Sequence, residues 1–296
     1  MKFASIDIGS NAIRLLFCNV YDRDGEILFK KEELIRVPIR LGEDAFTIGK
    51  ISNEKKSKLL KAMHAFKLLI DVNEPIAYRA CATSAMRDSS NANEIIDSIR
   101  NVCGIEVEVI DGGTEAFLIY ENHIAENLEP GVAYLYVDVG GGSTELTLFK
   151  EGKTIFSRSF NIGTIRMLNN QVEKSYWSEF KNWIATNTAP HQPMIAIGSG
   201  GNINKIQRLA KRAYKPITYA KLQEIYDEII SMSVKDRIEI MGLKPDRADV
   251  IAPAAKIFLT VMKQSSINYI VVPEIGLSDG IIHDLYEKHI AQISAN

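Results

Sequence analysis

Two short segments of the sequence place an aspartate, a glycine turn and a hydroxyl residue directly after an apolar run. The first is Asp7-Ile8-Gly9-Ser10-Asn11, and the second is Asp138-Val139-Gly140-Gly141-Gly142-Ser143-Thr144-Glu145. Glycine lets backbone N–H groups approach an anion closely, and a fan of such groups binds phosphate. An aspartate at the end of a strand is suited to hold a metal ion beside that phosphate. The pattern therefore predicts two phosphate-binding loops, called here loop 1 (residues 9–11) and loop 2 (residues 140–144), on two like domains that face each other across a cleft.

A third glycine-rich segment and one arginine are also typical of anion binding. Gly198-Ser199-Gly200-Gly201 lies between a predicted strand and a predicted helix, and the free N–H groups of a helix N-terminus favour anions. Arg87 follows a turn of small residues after a predicted strand, and arginine binds phosphate oxygens with two parallel hydrogen bonds. Taken singly, the glycines could serve close packing and Arg87 could be a solvated charge. The predicted phosphate-binding residues are Gly9, Ser10, Asn11, Arg87, Gly140, Gly141, Gly142, Ser143, Thr144, Gly198, Ser199 and Gly200.

Four carboxylates could act on a bound phosphate. Asp7 and Asp138 end predicted strands, and Glu145 closes loop 2. Glu115 lies one residue after Thr114, the predicted N-cap of a helix. Hydrolysis of a phosphoanhydride needs a metal ion to neutralise the oxygens and a group that positions or deprotonates water, and four converging carboxylates would meet both needs. Glu115 alone could instead be a first-turn acid that favours the helix dipole.

The composition is that of an ordinary soluble protein. A chain of 296 residues has room for two domains with proper cores, and its 46% hydrophobic and 24% charged residues are typical values. The formal net charge of −2 gives no global basic field, so we expect no nucleic-acid partner. Three scattered cysteines indicate reduced thiols, and there is no signal peptide or membrane-spanning run. We therefore expect a cytoplasmic protein with no membrane partner.

The apolar runs and turn residues predict two halves with the same strand–turn–strand–turn–strand plan. The paired strands are Phe3–Asp7, Ile13–Tyr21 and Ile27–Val37, then 132–138, Ser143–Phe149 and Thr154–Asn161. The further strands are Ile76–Ala82, Ile105–Ile110, Met194–Ile197 and Ile267–Val272. The predicted helices are Ser52–Asp71, Asn91–Val102, Thr114 to about 127, Tyr176–Asn187, one beginning near Asn202, Tyr219–Met232, Val234–Met241, Asp246–Lys263 and Leu277–Ala291. Residues 126–131 are the predicted domain boundary.

These motifs, in order along nearly the whole chain, resemble the exopolyphosphatase/guanosine pentaphosphate phosphatase family, Ppx/GppA. The Asp-x-Gly-Gly-Gly-Ser-Thr-Glu string of loop 2 is the most specific of them. The others are Asp7–Asn11, Arg40–Glu43, Ala82–Arg87 with Asn91, Val109–Ala116, Gly163–Arg166, Gly198–Gly201, Arg247–Ile251 and Gly276–Gly280. The resemblance implies an α/β fold of two ribonuclease H-like domains of the actin/Hsp70/sugar-kinase superfold with a cleft between them. We assign residues 1–126 to the first domain, with the C-terminal helix of about 284–296 as a candidate addition, and residues 127–283 to the second.

The resemblance also implies a reaction: Mg²⁺-dependent hydrolysis, with Mn²⁺ as a substitute, that releases terminal phosphate from polyphosphate. It implies Glu115 as the catalytic base, Asp138 and Glu145 as residues that position metal and water, and Glu145 as a second catalytic residue. Asp7 is a further predicted metal ligand because it ends the first strand. The family usually reads Ser-Gly-x-Glu-Glu-Ala before its base, whereas this chain reads Asp111-Gly112-Gly113-Thr114-Glu115-Ala116. This departure bears on the water network, substrate choice and rate. The family's longer members carry an extra helical C-terminal region, and its absence here predicts shorter processive runs.

Three alternatives stay open from the sequence. The same chemistry could convert guanosine pentaphosphate, pppGpp, to ppGpp. A kinase or nucleotide-driven ATPase shares the loops but needs an acceptor pocket and an adenosine site, for which the sequence has no evident marker. A non-catalytic polyphosphate or alarmone sensor would keep the loops and lose turnover, and the departure at Thr114 is its support. A homodimer is a further expectation.

Overall fold

The structure is a computed structural model that describes residues 1–120, 129, 131–211, 215–273 and 275–295. It divides into two compact units: unit 1 comprises Met1–Asn122 and Leu277–Asn296, and unit 2 comprises His123–Gly276. The C-terminal helix belongs to unit 1 from its first residue, Leu277, whereas the predicted second domain, 127–283, includes its first turns. Most of the predicted boundary, 126–131, lies outside the described residues, as does the predicted helical segment 121–127.

The described elements follow one another in a regular α/β order. The strands are β1 (Lys2–Ile8), β2 (Ile13–Arg23), β3 (Glu26–Val37), β4 (Ala77–Ala82), β5 (Val107–Val109), β6 (Ala133–Val139), β7 (Thr144–Lys150), β8 (Lys153–Phe160), β9 (Met194–Ser199), β10 (Ile217–Thr218) and β11 (Tyr269–Val271). The helices are α1 (Leu41–Ile48), α2 (Asn53–Asn73), α3 (Ser84–Arg87), α4 (Ala92–Cys103), α5 (Gly112–Tyr120), α6 (Thr164–Leu168), α7 (Lys174–Thr188), α8 (Gly201–Leu209), α9 (Tyr219–Ser231), α10 (Val234–Glu239), α11 (Pro245–Ala248), α12 (Ile251–Gln264) and α13 (Leu277–Ala295).

The sheet of unit 1 has the strand order β3-β2-β1-β4-β5. The first three strands are antiparallel neighbours, while β4 and β5 run parallel to β1. Helix α13 packs on this sheet, where the Ser5 hydroxyl donates to the Ser278 carbonyl at 2.8 Å. Phe3, Leu16 and Ile282 bury their side chains there. The apolar face of β1 and β2 is thus covered by the end of the chain.

The sheet of unit 2 repeats that plan, with the order β10-β11-β9-β6-β7-β8. Strands β6, β7 and β8 are antiparallel, and β9 runs parallel to β6. The register of the first hairpin is also repeated, because Asp7 lies opposite Arg14 and Asp138 lies opposite Glu145. Each unit even has a register shift between its second and third strands. The matching topology confirms the prediction of two ribonuclease H-like domains.

Local end signals explain which helix predictions hold. Ser52 is the N-cap of α2 and accepts a hydrogen bond from the Lys55 N–H, and Gly104 ends α4 with a left-handed φ of 64°. The single helix predicted over Asp246–Lys263 is wrong, since α11 ends at Ala248 and α12 begins at Ile251. At this break the Ala248 carbonyl accepts a hydrogen bond at 3.0 Å from the side chain of Arg237, which lies in α10. The short helices α1, α3 and α6 were not predicted, and none has a side-chain N-cap hydrogen bond.

Candidate active-site residues in each unit

Loop 1 follows β1 in unit 1, and hydrogen bonds from neighbouring segments of the chain hold it in place. The Gly42 N–H donates to the Ser10 carbonyl at 2.8 Å, and the Arg40 N–H donates to the Asn11 carbonyl at 3.0 Å. The Ser10 hydroxyl lies 2.8 Å from the Ser84 hydroxyl of α3. These contacts hold the turn against two helix starts. Ser84 was missed as a site residue, although it lies in the small-residue turn that precedes Arg87.

Asp7 ends β1 beside a cation of its own unit. Its buried carboxylate forms an ion pair with Arg14, which lies directly opposite on β2. This pair is close to electrically neutral, so Asp7 already has a positive partner in the position where a metal ion was predicted. Cys81 of β4 flanks Asp7 on its other side, and burial raises the pKa of the Cys81 thiol to about 12.

Helix α5 carries Glu115 and begins earlier than predicted. The prediction of Thr114 as the N-cap is wrong, because α5 starts at Gly112 and the Asp111 carboxylate accepts a hydrogen bond from the Thr114 N–H at 2.7 Å. That bond lowers the pKa of the Asp111 carboxyl below its usual value. Aspartate and serine are both good capping residues. Asp111 therefore supplies the helix start that the family's usual serine could supply.

Arg87 connects α3 to the segment before α5. Its Nη1 donates to the Ile110 carbonyl at 2.7 Å and lies 4.0 Å from the Glu115 Oε2. The Glu115 side chain is buried, with 8% of the residue exposed. The Arg87 guanidinium is therefore a positively charged neighbour of the buried Glu115 carboxylate. Unit 1 thus brings two predicted site residues, Arg87 and Glu115, close together.

Loop 2 of unit 2 is held from one side by the start of α6. The Gly140 and Gly141 carbonyls accept hydrogen bonds from the Thr164 and Ile165 N–H groups at 3.0 and 2.8 Å. The Gly142 carbonyl accepts one from the Arg166 Nε at 2.7 Å. In a trans peptide each carbonyl points away from the N–H of the next residue. The N–H groups that follow these carbonyls therefore face away from α6, as an anion-binding loop requires.

Four polar residues lie in one row across the strands β9, β6, β7 and β8. The row is Ser199, Asp138, Glu145 and Ser159, each directly opposite the next. The Ser199 hydroxyl donates to the Asp138 Oδ1 at 2.5 Å, and the Ser159 hydroxyl donates to the Glu145 Oε1 at 2.7 Å. Both carboxylates are buried. Within unit 2 the row therefore consists of two carboxylates flanked by two hydroxyl donors.

The two carboxylates of the row fit a hard divalent cation. A carboxylate oxygen of Asp138 lies within 4.8 Å of one of Glu145, and two neighbouring carboxylates in a buried place repel each other unless a cation or proton compensates. Oxygen atoms of carboxylates are the ligands that Mg²⁺ prefers. In the repeat of unit 1 the position of Glu145 is taken by Arg14. The structure therefore favours unit 2, not Asp7, as the place for a metal.

The third glycine segment supports the row directly. Gly200 has a φ of +96°, and a Cβ built on it would lie 3.0 Å from the Asp138 Oδ1. Ser199, predicted to bind phosphate, donates its hydroxyl to the Asp138 Oδ1. Helix α8 begins at Gly201, whose carbonyl accepts a hydrogen bond from Arg247. Ser159 and Arg247 were not predicted as site residues, although Arg247 stands in a motif of the resemblance.

A scan against protein-family models matches residues 26–289 to the Ppx/GppA phosphatase family. The chain belongs to the Ppx/GppA phosphatase family. Among solved structures, an exopolyphosphatase from Cytophaga hutchinsonii is 22% identical with a TM-score of 0.84, and the match covers 97% of this chain and 98% of that one. A Ppx/GppA family member from Aquifex aeolicus is 24% identical with a TM-score of 0.77, and the match covers 98% of both chains.

Family membership confirms the resemblance read from the motifs and makes the chain a phosphatase of this family. The structural likeness establishes the fold over almost the full length of both relatives. Within the described residues, no helix is long and apolar enough to cross a membrane.

Proposed function

We propose that the protein is an exopolyphosphatase, which releases terminal orthophosphate from inorganic polyphosphate by metal-assisted hydrolysis. One observation within unit 2 carries the proposal: a glycine loop whose N–H groups face away from α6 and a pair of buried carboxylates lie at the same end of the same hairpin. Phosphoanhydride hydrolysis needs these two elements together, because the phosphate oxygens must be both held and neutralised.

The loops and the arginine are proposed to hold the phosphates. Loop 2 would bind the terminal phosphate through N–H groups that face away from α6. Loop 1 and Arg87 of unit 1 are also proposed to bind phosphate oxygens. Asp138 and Glu145 would hold Mg²⁺, or Mn²⁺ in its place, and a bound Mg²⁺ supplies neutralisation of the phosphate oxygens. Asp7, predicted as a metal ligand, is assigned instead to orienting Arg14.

Glu115 is proposed as the general base. Its carboxylate would take a proton from water as the water oxygen bonds to the terminal phosphorus. The bond from that phosphorus to the bridging oxygen would break, and the shortened polyphosphate would leave with the electron pair. Arg87 supports this role, because its guanidinium lies 4.0 Å from the Glu115 Oε2. General-base catalysis contributes typically about 10²–10⁴-fold to a rate.

The test measures phosphate release from polyphosphates of defined length and from pppGpp, with and without Mg²⁺. We expect Mg²⁺-dependent release from polyphosphate, and a loss of about 10²-fold or more in Glu115→Gln. Glu106→Gln, an exposed glutamate of the same unit that pairs with Arg100, is the matched control. Undiminished activity of Glu115→Gln would remove the proposed base.

The same assay, together with a measurement of polyphosphate binding, separates two other candidates. Faster turnover of pppGpp than of polyphosphate would identify the alarmone pppGpp as the substrate. The two-part family name leaves the choice between these two substrates open. Tight binding of polyphosphate with no phosphate release, with Mg²⁺ or Mn²⁺ present, would make the protein a sensor. The capping role of Asp111 weighs against a sensor, because the start of α5 is intact despite the departure from the usual motif.

A further inference from the structure

The third strand of unit 2 brings a hydroxyl, not a charge, to Glu145. The β7–β8 turn pairs Lys150 with Lys153, and a register shift lies between Leu148 and Phe149. Because of this shift Ser159 lies opposite Glu145, and Arg158 lies opposite Leu146. A hairpin without the extra residue would place Arg158 opposite Glu145, since a one-residue slip moves each side chain to the other face.

The displaced arginine has partners elsewhere. The Arg158 guanidinium lies 4.6 Å from the centre of the Phe160 ring, and its Nη2 lies 3.0 Å from the Glu179 Oε1. In unit 1 the position of Glu145 is taken by an arginine, Arg14, which forms an ion pair with Asp7, the counterpart of Asp138. The bulge therefore places the Ser159 hydroxyl, and not the Arg158 guanidinium, opposite Glu145.

A second hydroxyl pair on the same face provides an internal comparison. Ser157 lies two residues before Ser159, and its hydroxyl is 2.9 Å from the Thr147 hydroxyl, whereas Ser159 donates to a carboxylate at 2.7 Å. The two serines lie on the same face of β8, and both lie opposite residues of β7. They differ in whether the partner carries a charge that could bind a metal.

We propose that Ser159 is a positioning residue for Glu145, and that its hydroxyl fixes the orientation in which this carboxylate binds a divalent cation. The proposal rests on the proposed function only in placing a cation at Asp138 and Glu145. A glutamate has three side-chain torsions, and a bond to one carboxylate oxygen removes much of that freedom before the cation arrives. Partners that orient a metal ligand typically change metal affinity by about 10–100-fold when they are removed.

The experiment compares Ser159→Ala with Ser157→Ala in the full chain, and Ser159→Thr with Ser159→Val. Mn²⁺ binding is measured by the loss of the electron paramagnetic resonance signal of free Mn²⁺, together with kcat and KM for phosphate release. We expect Ser159→Ala to bind Mn²⁺ about 10-fold more weakly and to lose kcat more than it changes KM. Ser157→Ala should bind Mn²⁺ as the wild type does. Ser159→Thr keeps the hydroxyl and should restore binding, whereas Ser159→Val has the same shape and should not.

Two kinds of failure are distinguishable. A wild-type protein that binds Mn²⁺ but releases no phosphate from either substrate would refute the proposed function and leave the role of Ser159 measurable. Wild-type Mn²⁺ affinity in both Ser159→Ala and Ser159→Val would overturn the positioning role, and so would a wild-type protein that binds no Mn²⁺. The Thr and Val variants also cover the case in which alanine disturbs β8, because both are β-branched and suit a strand.

Discussion

Gly163→Ala should displace loop 2 with little change elsewhere. A Cβ built on Gly163 would lie 2.4 Å from the Gly141 carbonyl oxygen and from the Gly142 carbonyl carbon, where ordinary contact begins near 3.4 Å. The loop must therefore retreat by about 1 Å. The φ of Gly163 is −136°, so alanine itself can adopt the backbone conformation, and the whole effect comes from contact with the loop.

The expected magnitudes follow from this displacement. Overpacking of this kind costs about 1–3 kcal/mol in the free energy of unfolding. A misplacement of about 1 Å in a catalytic group can cost about 10²-fold in rate. We therefore expect Gly163→Ala to unfold at lower urea concentration and to lose about 10²-fold in kcat/KM for phosphate release. Urea titration followed by circular dichroism and a phosphate-release assay measure the two effects.

Gly152→Ala is the matched control for loss of stability. Gly152 lies in the β7–β8 turn with a φ of +71° and no neighbouring atom within 4 Å of a Cβ. Its replacement costs about 1–2 kcal/mol through the left-handed backbone alone, far along the hairpin from loop 2. We expect that variant to be destabilised but fully active. Wild-type kcat/KM in Gly163→Ala would refute the argument that contact with α6 sets the position of a phosphate-binding loop.

Two further predictions concern the cap of α5 and the thiols. Asp111→Ala should lose about 1 kcal/mol of stability at neutral pH, and Asp111→Ser should recover most of it. The pKa of Asp111 is lower in the folded than in the unfolded protein. Its contribution to the free energy of unfolding is therefore present above the unfolded pKa of about 3.9 and is lost as pH falls through the folded pKa. The stabilities of wild type and Asp111→Ala should converge in urea titrations at low pH. The thiols should not react with Ellman's reagent at pH about 8 until urea unfolds the chain, because only thiolates react. Burial raises the pKa of Cys18 to about 11 and that of Cys81 to about 12, and it also raises the pKa of Cys103. A fast-reacting native thiol would contradict this.

Features set by neighbouring residues could be predicted from the sequence. The strands before both loops, the Ser52 cap and the Gly104 helix end depend on short patterns of apolar, hydroxyl and glycine residues, and the structure has them. The start of α5 was misplaced because Asp111 and Thr114 are both capping types three residues apart. The local sequence cannot decide between them, because the choice depends on where the first helical turn begins in the folded chain.

Features set by distant partners could not be predicted. The break between α11 and α12 involves Arg237, which reaches the Ala248 carbonyl from another helix. The contact of Ser159 with Glu145 depends on a bulge in the β7–β8 hairpin. A regular hairpin that starts from the Lys150–Lys153 pair would place Arg158 opposite Glu145. The pairing of Asp7 with Arg14 could have been found from the hairpin register, and it is the reason why the proposed metal ligands are Asp138 and Glu145.

The row in unit 2 also has a thermodynamic consequence. Asp7 and Arg14 together carry no net charge, whereas Asp138 and Glu145 at the same two places of the repeat carry two negative charges when ionised. A cation that binds the folded row and not the unfolded chain must raise the free energy of unfolding of unit 2 as its concentration rises. The concentration of free divalent cation would then act as a ligand for folding in one repeat and not in the other. Two hairpins of the same design would thus have stabilities that depend differently on the ionic content of their surroundings.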